Sequence, residues 1–303
     1  MKQITSAADL QAATTQAKSQ QLTIGLVPTM GALHQGHLSL VERALTENQM
    51  AVVSIFVNPI QFNNQDDLAR YPRTLEADLQ LLADLEHRLS TLAPTVQLLV
   101  FTPTVKEIYP DGTPTEVYHF GPIEQVMEGP QRPGHFSGVA TVVRRLFDLA
   151  QPTRAYFGEK DFQQIAIIRS LLDQIHYPIE LIPCPIVRAD DGLALSSRNA
   201  RLSPAARALA PAIYATLQQA TEMAAYEEVD DLRQWVLDTL ASYHLINPQP
   251  DGLCFQPEYF DIVDALTLQP IASWDEASAH GAVGCIAVWL DGVRLIDMVK
   301  FTD

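Results

Sequence analysis

Cysteine is scarce in this chain, and positive charge is scarcer than negative. Three cysteines, Cys184, Cys254 and Cys285, are odd in number and far apart. That fits reduced thiols in a cytoplasmic compartment better than a disulfide framework. There is no CxxC and no HExxH, so a dedicated zinc site lacks support. No apolar run approaches the ~18 residues of a membrane helix. The amino-terminal Met1–Thr5 leads into a polar, Gln-rich stretch and not an apolar signal core. Lys and Arg number 20 against 36 Asp and Glu, a net charge of −16. A field of that sign repels phosphate backbones and argues against a nucleic-acid partner. What is present is apolar mass. Hydrophobic residues make up 47% of the 303 residues and charged residues 18%, so a large core can form and dominant disorder is excluded. At roughly 150 residues per domain, the length predicts two domains.

Leu22–Val27 is a short apolar run that Pro28 ends, and it reads as a buried strand. A turn with two glycines follows, and from Leu38 the apolar residues take helical spacing. Ala51–Val57 is apolar but for Ser54, as a strand covered on both faces should be. Strand, glycine turn, helix and strand make a βαβ unit with a parallel sheet. The alternation continues with a helix over 75–89 and a strand over 96–101. Then come a helix over 137–150, a strand over 154–157, a helix over 162–175 and a strand over 179–182. The expected fold is a Rossmann-like, doubly wound α/β domain over 1–186. Beyond it, Ser203-Pro204 opens a helix as N-cap and N1, and helical patterns fill much of 205–244. A Pro-rich link spans 247–257. Apparent strands at 258–263, 283–290 and 293–298 complete a smaller α+β domain over 187–303.

Gly31 and Gly36 have the GxxxxG spacing of a phosphate loop, but His37-Leu38 stand where Lys and Ser or Thr belong. No GxGxxG fingerprint occurs either. The segment is instead His34-x-Gly36-His37 between a strand and a helix. Its glycines let backbone approach a ligand, and the helix start presents free N–H groups and a positive dipole end. Two imidazoles at i, i+3 share a side and can donate to phosphate oxygens. Asn58 and Gln61, after the second strand, offer amide donors and acceptors, although Asn-Pro is also an ordinary turn. Val139, Val142 and Val143 form one apolar helix face, which core packing alone would explain. At another strand end, Gly158 permits close approach and Lys160 is a point charge fit for a triphosphate. Asp161 there can cap the next helix. Ser196, Ser197 and Arg198 put two hydroxyls and a guanidinium on one loop, the makings of a mobile phosphate clamp.

The string Val27-Pro28-Thr29-Met30-Gly31-Ala32-Leu33-His34-Gln35-Gly36-His37 resembles the pantothenate synthetase family. That family lies within the HxGH superfamily of nucleotidylyltransferases and class I aminoacyl-tRNA synthetases. Phe56-Val57-Asn58-Pro59-Ile60-Gln61-Phe62, Tyr71-Pro72-Arg73-Thr74, Gly158-Glu159-Lys160-Asp161-Phe162-Gln163-Gln164 and Ser196-Ser197-Arg198-Asn199 match it in order. The likeness covers about 20–205 and is weaker beyond, where Met298 replaces the family's frequent Asn.

The resemblance implies an ATP-dependent ligase that joins (R)-pantoate to β-alanine through pantoyl adenylate. ATP contacts fall on Met30 to His37, on Gly158 to Asp161, on Val187, and on Leu195 to Arg198. Gln61, Gln164, Val139, Val142 and Val143 fall to pantoate, and Gln61 also to β-alanine. His37, His34, Lys160 and Arg198 are the catalytic candidates, with His37 as general acid or electrostatic group. Mg²⁺ is expected with ATP, and Asp78 matches an acidic position toward the metal, although it also reads as an exposed helix start. A cytoplasmic homodimer is implied. The rivals are a nucleotidylyltransferase that stops at nucleotidyl transfer, a class I synthetase, which lacks its basic tRNA-binding appendage here, and a nucleotide sensor without turnover. The charge is also uneven. Residues 132–207 hold ten basic and seven acidic side chains, while 221–303 hold three and fifteen. The one net-positive stretch bears Arg132, Lys160, Arg188 and Arg198, where a triphosphate is expected.

Overall fold

A computed structural model of the chain describes residues 1–90, 96–112, 114, 118–246 and 252–301. These residues form two compact units. One comprises Met1–Phe120, Arg132–Glu159 and Gln164–Pro185; the other comprises Gly121–Gln131, Lys160–Gln163 and Ile186–Asp303.

The first unit is built on six strands: β1 (Lys2–Ile4), β2 (Ile24–Thr29), β3 (Met50–Ile55), β4 (Gln97–Phe101), β5 (Arg154–Gly158) and β6 (Glu180–Cys184). Their order is β1-β4-β3-β2-β5-β6, and every pair is parallel. The doubly wound expectation holds. The chain travels one way from β2 through β3 to β4, then returns to the other side of β2 for β5 and β6. The switch point therefore lies between β2 and β5, the place where such sheets bind ligands at the carboxyl ends of the strands. Ala51, Val52 and Val53 of β3 are fully buried, as their uniform apolarity requires.

One local reading needs correction, and one stretch holds structure that its pattern did not announce. The amino-terminal polar stretch contains β1 and a helix over Ala7–Ser19, N-capped by Ser6. That helix buries only Leu10, Thr14 and Ala17, too narrow a stripe to stand out among its glutamines. Pro28 does not end β2, which continues to Thr29. The Thr29 carbonyl accepts from Phe56 N–H of the β3 side, so by alternation the Pro28 nitrogen faces β5. There the pairing is confined to Gly25 and Leu26, and the missing N–H interrupts no ladder.

The second unit holds an antiparallel sheet of β7 (Gln256–Asp264), β8 (Ala282–Leu290) and β9 (Val293–Lys300). Helices Ala212–Met223 and Val229–Ala241 supply Ile213, Leu217, Leu232, Val236 and Leu240 to a core shared with Phe260, Ile286 and Val288 of the sheet. Ser203 caps the helix Pro204–Leu209, with Pro204 at its first position, as expected. Residues 247–251 of the anticipated Pro-rich link lie outside the described residues.

Candidate active site

At the carboxyl end of β2 two successive residues are left-handed, Gly31 at φ +82° and Ala32 at φ +48°. For a residue with a Cβ this conformation costs about 1–2 kcal/mol. Gly31 is required on space as well. A Cβ there would lie 3.0 Å from Asp78 Oδ2 and 3.1 Å from Ile55 Cγ2. Asp78, on the helix Leu75–Ser90, is 1% exposed. Its Oδ2 accepts from Ala32 N–H at 2.9 Å, and its Oδ1 accepts from Leu33 N–H at 2.8 Å and from Thr74 Oγ1–H at 3.1 Å.

The helix Gln35–Glu47 begins immediately after this turn, with His34 as its N-cap. His34 Nδ1 accepts from Gly36 N–H at 3.2 Å, and His37 Nδ1 accepts from His34 N–H at 3.3 Å. The pair forms a capping box with imidazoles in the roles usually held by Ser and Glu. An Nδ1 that accepts leaves the proton of a neutral ring on Nε2, the outer nitrogen, where it can be donated. The rings lie 4.0 Å apart between centroids.

The Asn58–Gln61 turn is held as tightly. Asn58 is 1% exposed. Its Nδ2 donates to Gln61 Oε1 at 3.1 Å and to Gly138 O at 3.1 Å, while its Oδ1 accepts from Tyr109 O–H at 2.9 Å. Burial pushes the Tyr109 phenol far above its ordinary range, so it stays a donor. With Oε1 occupied, the Gln61 amide turns its Nε2 toward Met30 Sδ, 3.2 Å away. His135 Nδ1–H donates to the Gln61 carbonyl at 2.9 Å. The turn also rests on the helix His135–Ala150 at Gly138, where a Cβ would come within 2.6 Å of Gln61 Cα and Ile60 O. Val139, Val142 and Val143 on that helix are all buried. Gly158 ends β5 and Glu159 follows it, and Gln164 is half-buried on the helix Phe162–Ile175.

In the second unit Lys160 Nζ stands 3.3 Å from Asp161 Oδ2. A tight loop pairs Arg188 with Ala194, and Leu195 N–H donates to Val187 O at 3.0 Å. This brings Val187 beside the start of the 195–198 segment. Ser196 caps the 3₁₀ turn Ser197–Arg201 through Arg198 N–H. Arg188 is committed elsewhere. It makes a two-pronged ion pair with Asp297 at 2.6 and 2.8 Å, donates to Gly192 O, and stacks 3.4 Å above the centre of the Tyr214 ring. Arg188 therefore does not serve as a mobile phosphate cation.

Sequence reasoning missed the supporting residues Tyr109, His135, Gly138 and Gln163. Gln163, beside Gln164, accepts from Glu128 N–H through Oε1 and donates to Ile123 O and Val126 O through Nε2. Only the glycine and the repeated glutamine offered a signal, and neither names its partner. For a metal, no group of three or more His, Cys, Asp or Glu among the described residues converges as a ligand set. The Asp78 oxygens already hold three donors. These residues do not fit a metal held by the protein itself.

Residues 2–300 match the family described as Pantoate-beta-alanine ligase. The chain belongs to the pantoate-beta-alanine ligase family. It is thus an enzyme that joins pantoate and β-alanine. Relatives named pantothenate synthetase include those of Bacteroides thetaiotaomicron, 47% identical over 303 residues and all of both chains, and of Phocaeicola vulgatus, 48% identical over 302 residues and 99% of both. A crystal structure of pantothenate synthetase from Thermus thermophilus superposes with a TM-score of 0.84 at 42% identity, covering both chains fully. A pantoate-beta-alanine ligase from Francisella tularensis, solved with β-γ ATP and β-alanine, gives 0.78 at 33% identity, over 99% of this chain and 98% of that one. The departure from the ligase family's usual Asn, Met298, is 4% exposed, and its backbone N–H donates to Asp297 at 2.8 Å. It sits beside the Arg188 ion pair.

Proposed function

We propose that the chain makes pantothenate in two half-reactions. A pantoate carboxylate oxygen attacks the α-phosphorus of ATP, the bond to the bridging oxygen breaks, and pyrophosphate leaves. The β-alanine amine then attacks the acyl carbon of pantoyl adenylate. AMP departs with the bonding pair, and the nitrogen loses a proton. Activation is required because a carboxylate does not acylate an amine at neutral pH.

The observation that carries this reading is the imidazole capping box at the switch-point strand β2, which presents two Nε2–H donors at a helix start. Charge building on the α-phosphate and on pyrophosphate is stabilised by such fixed donors. In this reading His34 and His37 act as donors and not as proton-bearing acids, because each Nδ1 is already an acceptor. Lys160, Ser197 and Arg198 serve the triphosphate, and Gly158 lets backbone approach it. The turn from Met30 to His37, together with Glu159 and Asp161, lines the phosphates, with the Ala32 and Leu33 N–H groups turned to Asp78, and Val187 and Leu195 receive adenine. Gln61 addresses pantoate and then β-alanine through Nε2–H, with Gln164 as second pantoate contact. Val139, Val142 and Val143 meet its paired methyl groups. Mg²⁺ enters as part of the substrate Mg–ATP, bridging phosphate oxygens. A cytoplasmic homodimer completes the proposal; sedimentation at several concentrations tests its assembly.

Incubation with ATP, Mg²⁺, pantoate and β-alanine decides the activity. AMP and pyrophosphate must both appear, and amide formation must require both acids. Nucleotide transfer to another acceptor with no need for an amine, or ATP binding without turnover, would overturn the reading.

A further inference from the structure

Asp78 stands at a position that the family resemblance assigns toward Mg²⁺, and its surroundings assign it another task. We propose that Asp78 is a positioning residue for adenylate formation, an internal anion that holds the turn 31–33 and so fixes the helix start bearing His34 and His37. The inference rests on the activity proposed above.

Three observations carry it. The carboxylate receives two successive backbone N–H groups and one hydroxyl, at 2.8 to 3.1 Å, while only 1% exposed. Mg²⁺ demands six near-octahedral ligands at about 2.0–2.1 Å and keeps several waters. A sealed carboxylate with its oxygens already engaged leaves little room for those waters, and no group of three or more His, Cys, Asp or Glu among the described residues converges as a ligand set. The turn itself is shaped for an anion. Through the left-handed Gly31 and Ala32 the N–H groups of Ala32 and Leu33 meet in one concavity, as successive N–H groups do at anion-binding turns. Here a side chain of the protein occupies it, so Ala32 and Leu33 N–H hold Asp78 and not a ligand. Finally, the lever is short. Leu33 directly precedes the N-cap His34, and both imidazole hydrogen bonds lie within residues 34–37.

Asp78→Asn tests the assignment with little change of volume. Its amide nitrogen must face a backbone N–H, so the turn loses an acceptor. The rate of pyrophosphate release should fall about 10- to 100-fold, the scale of an ångström-sized misplacement. KM for pantoate should stay within about two-fold of wild type. The Mg²⁺ concentration giving half-maximal rate at saturating ATP should not move. Amide exchange at Ala32 and Leu33, followed by NMR, should accelerate in the variant. The proposal is overturned if the half-maximal Mg²⁺ concentration rises with the substitution. It is also overturned if Mn²⁺ alone, without nucleotide, broadens the Ala32 and Leu33 resonances of the wild type but not of the variant. Should Asp78→Asn fail to fold, Thr74→Val removes only the hydroxyl donor, and the same comparison applies with a smaller loss of rate. A wild type that makes no AMP refutes the ligase reading, while exchange and Mn²⁺ broadening still judge Asp78.

Discussion

A histidine that accepts through Nδ1 is both a helix cap and a donor, and in this chain the two roles cannot be separated by choosing a different nitrogen. His37→Ala should lower pantoyl-adenylate formation by about 10²- to 10³-fold, the size of a lost oxyanion donor, and stability by about 1 kcal/mol, the size of a lost cap. Pyrophosphate release and a urea melt measure the two. Near-normal adenylation would remove His37 from the chemistry. The adjacent glutamines should divide in the opposite sense. Gln163→Ala strips a hydrogen bond from Glu128 N–H and donors from two carbonyls, at a cost of about 2–3 kcal/mol. Gln164→Ala should leave the melting temperature alone and raise KM for pantoate. The motif made both glutamines visible in the sequence. Which one is structural was not, because Gln163 finds its partners in 121–131, some 40 residues away, with no pattern that links them.

At the scale of elements, strands and helices with full apolar faces were legible, and those with thin stripes were not. The helix Ala7–Ser19 buries three residues, whereas His135–Ala150 buries twelve of sixteen. Local sequence could not reveal that the second helix meets the Asn58–Gln61 turn through a glycine, since the partner lies 80 residues away. Gly138→Ala should displace the helix from that turn, cost about 1–3 kcal/mol through overpacking, and raise KM for pantoate as Gln61 shifts. A variant with unchanged melting temperature and kinetics would contradict the contact. The turn after β7 has a pH signature. Asp264 is buried, which opposes its charge, but donors from Ser278, Thr267 and Leu266 outweigh burial and hold its carboxyl well below the usual range. Its contribution is complete above the unfolded carboxylate value near ~4 and is lost as pH falls further. Thermal melts from pH 6 to pH 3 should steepen downward below about pH 4, and Asp264→Asn should flatten that slope.

At the scale of the whole molecule, composition foretold two kinds of fold and an uneven charge. It did not foretell that two short excursions, 121–131 and 160–163, fold with the carboxyl-terminal residues. What ties the first of them is ionic. Arg294 of β9 pairs with Glu128 through two hydrogen bonds at 2.8 Å and also with Glu258 of β7, and Tyr259 O–H donates to Glu128 at 2.7 Å. Two carboxylates, Glu128 and Glu258, thus surround one arginine. Arg294→Met should cost about 3–5 kcal/mol by leaving two carboxylates without their cation, seen as a lower urea midpoint. Replacing Glu128 and Glu258 with Gln in the same chain should restore part of the loss.

The contact at Gly138 limits how the enzyme can be redesigned. On that side the Asn58–Gln61 turn is closed by main chain packed on main chain, with no side chain to trim. In the proposed reading, selection for longer or bulkier hydroxy acids therefore has no substitution available there, and variants with altered acid preference should gather at Val139, Val142 and Val143 instead.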